Sequence, residues 1–305
     1  MPRLQELRVV DPVLTEVARG YSNADFVGTA LFPVVPVSKE AGKIPQFNKE
    51  AFRIWNTERA IRAKSNVIPP SGRSPLDFVT KEHDLAYPVD YREEEESMYD
   101  EQEYGTMVTM EGIMLTHEKT CADIATNPAN YPAGNKTALS GTDVWSDYAN
   151  SDPIAQIKDY KSAVRSRIAK YPNTLLLGAT AFEALQNHPK VVERIKYSQL
   201  GVVTVDLLSA LLNIENVVVG NGVYSSDGDT FADIWADVAI LAYVPRDPRT
   251  PYEPSYGYTL RKRNMPETDV YDENGGKVQM VRTTDNWQVK MVGPDAGYLV
   301  TNIVA

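Results

Sequence analysis

The sequence predicts an α+β fold, and three observations carry that prediction. A proline-free stretch from Tyr91 to Asp123 reads as one long helix, strand and helix patterns alternate from about residue 172 to 245, and the chain closes from Ser255 to Ala305 in strands and turns. The alternating region implies a mixed sheet with helical cover. With 305 residues, 43% hydrophobic and 24% charged, the chain has the composition of one large globular domain or two modest ones.

Charge and cysteine usage narrow the function classes. The formal net charge is −10, the wrong sign for a protein that grips phosphate by releasing counterions, so a sequence-specific DNA reader is disfavoured. Cys121 is the only cysteine, which rules out an intrachain disulfide and fits a reducing compartment. The start, MPRLQELRVVDPVL, is charged throughout and does not read as a signal peptide. No stretch approaches the ~20 apolar residues that cross a bilayer, so no membrane partner is expected.

In chain order, residues 1–42 mix short apolar runs with turn residues. Pro33 and Pro36 disfavour helix and confine any strand there to an edge, so the segment reads as an extended arm. Residues 43–80 are poor in core material, and the alternation of Phe52, Ile54 and Asn56 suits a two-stranded ribbon. A lone ribbon is marginal in water and must lean on something else. The long helix starts at Asp90, a suitable N-cap, with Glu93, Glu94, Glu95 and Glu96 at the positive end of its dipole. Met107, Met110, Met114, His117 and Cys121 then recur at helical spacing and predict one buried face. Asn127, Pro128 and the following NYPAGNK end it. Beyond Pro153 the pattern Ile154, Ile157, Tyr160, Val164, Ile168 predicts a second helix. NTLLLG and NVVVG read as buried strands, ATAFEALQNHPKVVERI as helices broken at Pro189, VDLLSALLNI as a short helix, and Asn274-Gly275-Gly276 as a hairpin turn.

This order of elements resembles the major capsid proteins of tailed bacteriophages of the Hong Kong 97 type. The stretches that carry the resemblance are DPVLTEVARGYSNADFVGTALFPVVPVSKEAGK, GTDVWSDYANSDPIAQI, PNTLLLGATAFEALQNHPKVVERIKYS, LLNIENVVVGNGVY and SYGYTLR. They span essentially the whole chain and are specific as a combination. The resemblance implies an N-terminal arm (1–42), an extended β-hairpin loop (43–80), a peripheral domain with a long spine helix (81–165), an axial domain with a mixed sheet (166–250) and strands returning to the peripheral domain (251–305). It implies a non-enzymatic coat protein of the virion, assembled in the host bacterial cytoplasm as hexamers and pentamers into an icosahedral shell around double-stranded DNA touched only non-specifically. Because the arm begins almost at Met1, a separate scaffolding protein, or none, is expected, and the resemblance implies a portal and a decoration or cement protein as further partners. Removing residues 1–42 is then expected to leave soluble monomers or small rings. An encapsulin-type bacterial compartment is the alternative within the fold, and a mixed-sheet hydrolase the alternative from another class; the latter lacks a visible nucleophile–base set.

Four patterns invite chemical readings. His117 and Cys121, four apart on one helix face, have metal-compatible spacing, but a chain with three histidines and one cysteine has too few partners, and core packing is favoured. Gly220 and Gly222 after a strand open like a dinucleotide fingerprint, yet Ser225 stands where the third glycine belongs and a turn follows. Asp227, Asp229 and Asp233 lack the spacing of a calcium loop and read as a solvated turn. His83 and Asp84 have no serine or cysteine elbow beside them. No cofactor and no metal is expected.

The charge distribution is more informative. Residues 43–73 hold seven bases against two acids, and residues 90–103 hold eight acids against Arg92. The residues alone leave open whether these are two solvated faces or a contact. The resemblance favours a contact, because the family's extended loop crosses onto an adjacent subunit. The candidate contact residues are Arg53, Trp55, Arg59, Arg62 and Lys64 on the loop and Glu93, Glu94, Glu95 and Glu96 on the helix start.

Overall fold

The computed structural model describes residues 10–45, 54–67, 75–195 and 203–304. Helix α1 (Pro12–Gly20) starts at Asp11, whose carboxylate accepts from Val13 and Leu14 N–H while Pro12 occupies the first turn. The short α2 (Gly28–Leu31) leads into β1 (Val34–Val37). Strands β2 (Ala41–Pro45) and β3 (Pro75–Val79) pair antiparallel, and β4 (Lys81–Asp90) follows. Next come α3 (Tyr91–Glu96), α4 (Glu101–Ala125), β5 (Lys136–Ala138) and α5 (Pro153–Ile168). The alternating region holds β6 (Thr174–Gly178), α6 (Ala179–Asn187), α7 (Pro189–Ile195), α8 (Val205–Leu212), β7 (Asn216–Gly220), the β8–β9 hairpin (Val223–Tyr224 and Ala232–Asp233) and β10 (Val238–Ala242). Strands β11 (Gly257–Lys262), β12 (Glu267–Glu273), β13 (Val278–Met291) and β14 (Gly297–Thr301) complete it.

Two five-stranded sheets result. In the first, β13 pairs with β4 along one side, and on the other with β12 through its first half and β11 through its second, while β1 runs parallel to β11 at the edge. The second is mixed, in the order β5-β14-β10-β6-β7, with β6 parallel to β7 and β10 antiparallel to β6 and β14. Strand alternation splits its side chains between two cores. Leu175, Leu177, Ala239 and Leu241 pack against α5 to α8, whereas Leu176 and Ile240 face Cys121, Ala125, Trp235 and Tyr256. The mixed sheet, the helix break at Pro189 and the hairpin at Asn274 to Gly276 agree with the sequence patterns.

Three local expectations are corrected. Residues 10–37 are not an extended arm but part of the subunit's own core. Leu14 packs on Val89 and Val281, Leu31 and Phe32 sit under Trp235 and Tyr256, and Val35 is fully buried. The two prolines act as anticipated for the alternative: β1 is an edge strand, where a missing N–H costs little. The long helix is broken. Ser97 accepts from Tyr99 N–H and Asp100 from Gln102 and Glu103 N–H, so their side chains compete with the ladder and restart it as α4. Met107 lies outside the buried face, which instead carries Thr106, Thr109, Met110, Ile113, His117 and Cys121. The ribbon expected around Phe52 and Ile54 is corrected only in its described part. Phe52 lies outside the described residues, residues 54–67 contain no strand, and among the described residues of 43–80 the paired segments are β2 and β3. That ribbon leans on the first sheet: Ile44 and Phe78 pack with Val35, Tyr258 and Leu260, and Val79 N–H donates to Gln288.

The buried polar groups of α4 bind elements together. Glu118 accepts from Val27 N–H at 2.9 Å, from Gly28 N–H at 2.8 Å and from the Trp235 indole at 2.6 Å, joining α2, α4 and the root of the β8–β9 hairpin. Burial raises its pKa above the ordinary glutamate range, and these donors draw it partly back. His117 shares a 2.9 Å hydrogen bond with Thr259, and its ring meets Trp287 edge-on at 4.8 Å. Burial, then the charge of Arg261, lowers its pKa to about 3.

Two predictions follow from this packing. Phe32→Ala should cost about 3–5 kcal/mol in urea unfolding of the unassembled subunit, and deletion of residues 1–42 should give misfolded protein by near-UV circular dichroism, not folded monomers. A subunit that tolerates the deletion with a native spectrum would contradict the packed position of β1. The second concerns pH. The folded state excludes a proton from His117 that the unfolded chain takes up near the usual histidine pKa of 6.5, so this contribution weakens the fold as pH falls from 6.5 toward about 3. Glu118 and Asp285, raised by burial, act in the opposite sense. His117→Gln should therefore lose less urea resistance than wild type between pH ~6.5 and ~4.5; parallel curves would refute a neutral buried His117.

Candidate functional site

The protruding loop is described from Ile54 to Val67. It turns at residues 60–63, where Ala63 N–H donates to Ala60 C=O at 3.0 Å and Arg62 takes φ 65°, a left-handed conformation. No ladder closes it. Instead the Asn66 amide donates to Asn56 C=O at 2.9 Å and Glu58 C=O at 2.8 Å, and Arg59 donates to Ala63 C=O at 2.6 Å. Arg62 and Lys64 are exposed, and Trp55 is half-buried. Between these cations Ile54, Ile61 and Val67 stand 96%, 93% and 80% exposed. Arg53, the remaining loop residue expected to contact a neighbour, lies outside the described residues.

The acidic segment is built by capping. The Asp90 carboxylate accepts from Arg92 N–H at 3.0 Å, while Glu93 reaches back to Asp90 N–H at 3.4 Å, which fixes the first turn of α3. Glu93, Glu94, Glu95 and Glu96 are all exposed, and Glu94 accepts from Gln102 across the helix break at 3.3 Å. The break presents Met98 and Tyr99, 95% and 83% exposed, between two runs of acids. Within one subunit, and among the described residues, no ion pair joins Arg59, Arg62 or Lys64 to these glutamates. Sequence reasoning found both charged segments and missed the apolar knob at Met98 and Tyr99. Its signal was the Asp100-x-x-Glu103 spacing, a second capping pattern inside the supposed helix.

The other chemical patterns resolve into structure. His117 and Cys121 are buried together, with Cys121 Sγ 3.7 Å from the ring, and the described residues contain no group of three potential metal ligands. Gly220 is glycine because a Cβ there would fall 2.3 Å from Trp235 Cδ1, a packing requirement and not a phosphate cradle. Asp227 organises the hairpin turn by accepting from Asp229 N–H at 3.0 Å and Thr230 N–H at 2.9 Å, bonds that hold its carboxyl well below the usual aspartate range. His83 stacks on Trp287 with centroids 4.0 Å apart.

The molecule therefore carries large charged and apolar projections, and its hydrogen-bonded serine–histidine pair, Ser151 Oγ to His188 Nε2 at 3.0 Å, is buried. Comparison with known proteins agrees with a shell role. The family model described as phage major capsid protein E matches residues 74–254. The chain is 49% identical to the major capsid protein of Burkholderia phage BcepMu over 99% of both chains, and 29% identical to that of Pseudomonas phage JBD67 over 97% of both. The crystal structure of a phage-related protein from Bordetella bronchiseptica superimposes with a TM-score of 0.82 at 32% identity, covering 97% of this chain and 98% of that one. On the full-length relatives, the matching fold and a surface built of projections, the chain belongs to the phage major capsid protein E family and is a coat subunit of a phage capsid.

Proposed function

We propose that copies of this chain close the head shell as hexamers and pentamers in which the basic loop of one copy lies on the acidic helix start of its neighbour. The role is structural, with no catalytic step. Assembly takes place in the host cytoplasm, and a scaffolding protein, a portal and a decoration protein are the partners that the family relationship suggests. The observation that carries this reading is that each charged segment also holds bare apolar side chains. Ile54, Ile61 and Val67 lie among cations, and Met98 and Tyr99 among acids. Fully burying one such side chain is worth about 1.5–3 kcal/mol, against ~0.2–1 kcal/mol for an exposed ion pair. The apolar contacts then supply most of the affinity and the charges set partner and register. Contacts of this size are weak singly and reversible, which lets a misplaced subunit leave before the shell closes.

Replacing Arg59, Arg62 and Lys64 with glutamate turns attraction into repulsion against Glu93 to Glu96. The triple variant should fold normally yet assemble poorly at low salt, and recover partly as the Debye length shrinks from ~10 Å at 0.1 M to ~3 Å at 1 M. Adding Glu94→Lys, Glu95→Lys and Glu96→Lys to the same chain should restore shells, scored by electron microscopy. Wild-type shell yield from the triple variant at low salt would show that the two segments are merely solvated faces.

A further inference from the structure

A second pair of complementary features lies away from the loop and the helix start. The β8–β9 hairpin ends in a tip whose shape is fixed by its own hydrogen bonds. Besides the bonds to Asp229 and Thr230 N–H, Asp227 accepts from Ser225 Oγ at 3.0 Å and Thr230 Oγ1 at 2.8 Å, and Gly228, at φ 84°, donates to Ser225 Oγ at 2.8 Å. This tip holds Phe231 out, 74% exposed, among Asp227, Asp229 and Asp233. A rigid hairpin with one bare aromatic ring and three carboxylates has the form of a plug, since little ordering entropy remains to be lost on binding.

The matching socket lies between α5 and α8. A cavity of about 430 Å³ has Ile157, Leu211 and Leu212 in its floor and Lys158, Lys161 and Arg194 around it, with no acid among the described residues that line it. That volume falls within the ~300–1,000 Å³ of ordinary ligand cavities and admits an aromatic side chain. Lys161 is held in place by its bonds to Leu212 C=O at 2.6 Å and Asn213 C=O at 2.9 Å, the free end of α8.

The two features lie on opposite faces of the mixed sheet. Ile157 and Leu212 belong to the core that packs on Leu175 and Leu177, whereas Ile234 and Trp235, at the root of the hairpin, belong to the core that contains Leu176. A plug on one face and a socket on the other do not meet within a subunit. Between identical copies they form a head-to-tail contact, the kind that generates rings. From the charge complementarity and this placement, we infer that the hairpin tip of one copy, with Phe231 at its centre, inserts between α5 and α8 of the next copy around a capsomer. The contact shares no residue with the proposed loop–helix contact.

Phe231→p-benzoylphenylalanine in the full-length chain, irradiated in assembled shells, should give a covalent dimer. Mass spectrometry should place the crosslink at residues 154–162, 171, 194 or 211–213 of the second copy. A crosslink to any other segment, to its own chain, or none at all in intact shells overturns the inference. Where the bulky residue itself prevents assembly, charge exchange decides. Asp229→Lys with Asp233→Lys, and Lys158→Glu with Arg194→Glu, should each lower low-salt shell yield several-fold while the subunit stays folded, and the four together should restore it. Failure of the fourfold variant to recover, or wild-type yield from either pair alone, refutes the contact. Both arms leave Arg59 to Lys64 and Glu93 to Glu96 unchanged, so a fault in the loop contact is read separately.

Discussion

Strand β13 is the constraint from which the rest of the subunit hangs. Over 14 residues it pairs with three strands at once, β4 along one edge and β12 then β11 along the other. A one-residue slip would turn Val281 and Val289 out of two different cores, so its register is strongly specified. Buried threonines reinforce that register. Thr283 bonds Thr109 of α4 at 2.8 Å and Thr268 of β12 at 3.2 Å, and Thr268 N–H donates to Thr15 of α1 at 3.0 Å. Since a buried polar chain of this kind is satisfied in only one arrangement, it fixes three elements against β13 with little tolerance. Two of the projecting elements hang on the same strand: β4 delivers the acidic helix start and Gln288 holds the foot of the loop ribbon.

How much of this was legible in the sequence depended on the range of the interaction. Buried strands such as Thr174–Gly178, the cap at Asp90 and the Asn274 turn are local patterns, and they appear where the residues say. Residues 10–37 misled because Pro33 and Pro36 are a strong local signal, while the partners of Leu31, Phe32 and Val35 lie more than 200 residues away in β11, Trp235 and Tyr256. The break at Ser97 misled for the opposite reason. Four glutamates and a methionine-rich run suggest continuous helix, and the two short side chains that interrupt it outweigh that propensity only because they satisfy the local N–H groups themselves. Both charged segments of the candidate contact were readable as composition. The apolar side chains that accompany them were visible as residues, but their exposure was not, because exposure is a property of the fold.

That exposure bears on how a coat subunit stays soluble before it assembles. Apolar projections on a free subunit invite indiscriminate association. In this molecule each is set among charges of one sign: cations around Ile61, glutamates and aspartate around Met98 and Tyr99, aspartates around Phe231. Two identical projections therefore repel each other, and symmetric self-pairing of like with like is disfavoured. Only an unlike surface of another copy offers both the opposite charge and an apolar partner. Self-pairing through like patches would stop at a dimer, whereas contacts between unlike patches continue from copy to copy until the rotation closes. On the proposed contacts, the charges that oppose like-with-like pairing would also select head-to-tail geometry, and the net charge of −10 would add a general repulsion that keeps encounters reversible until the matching faces meet.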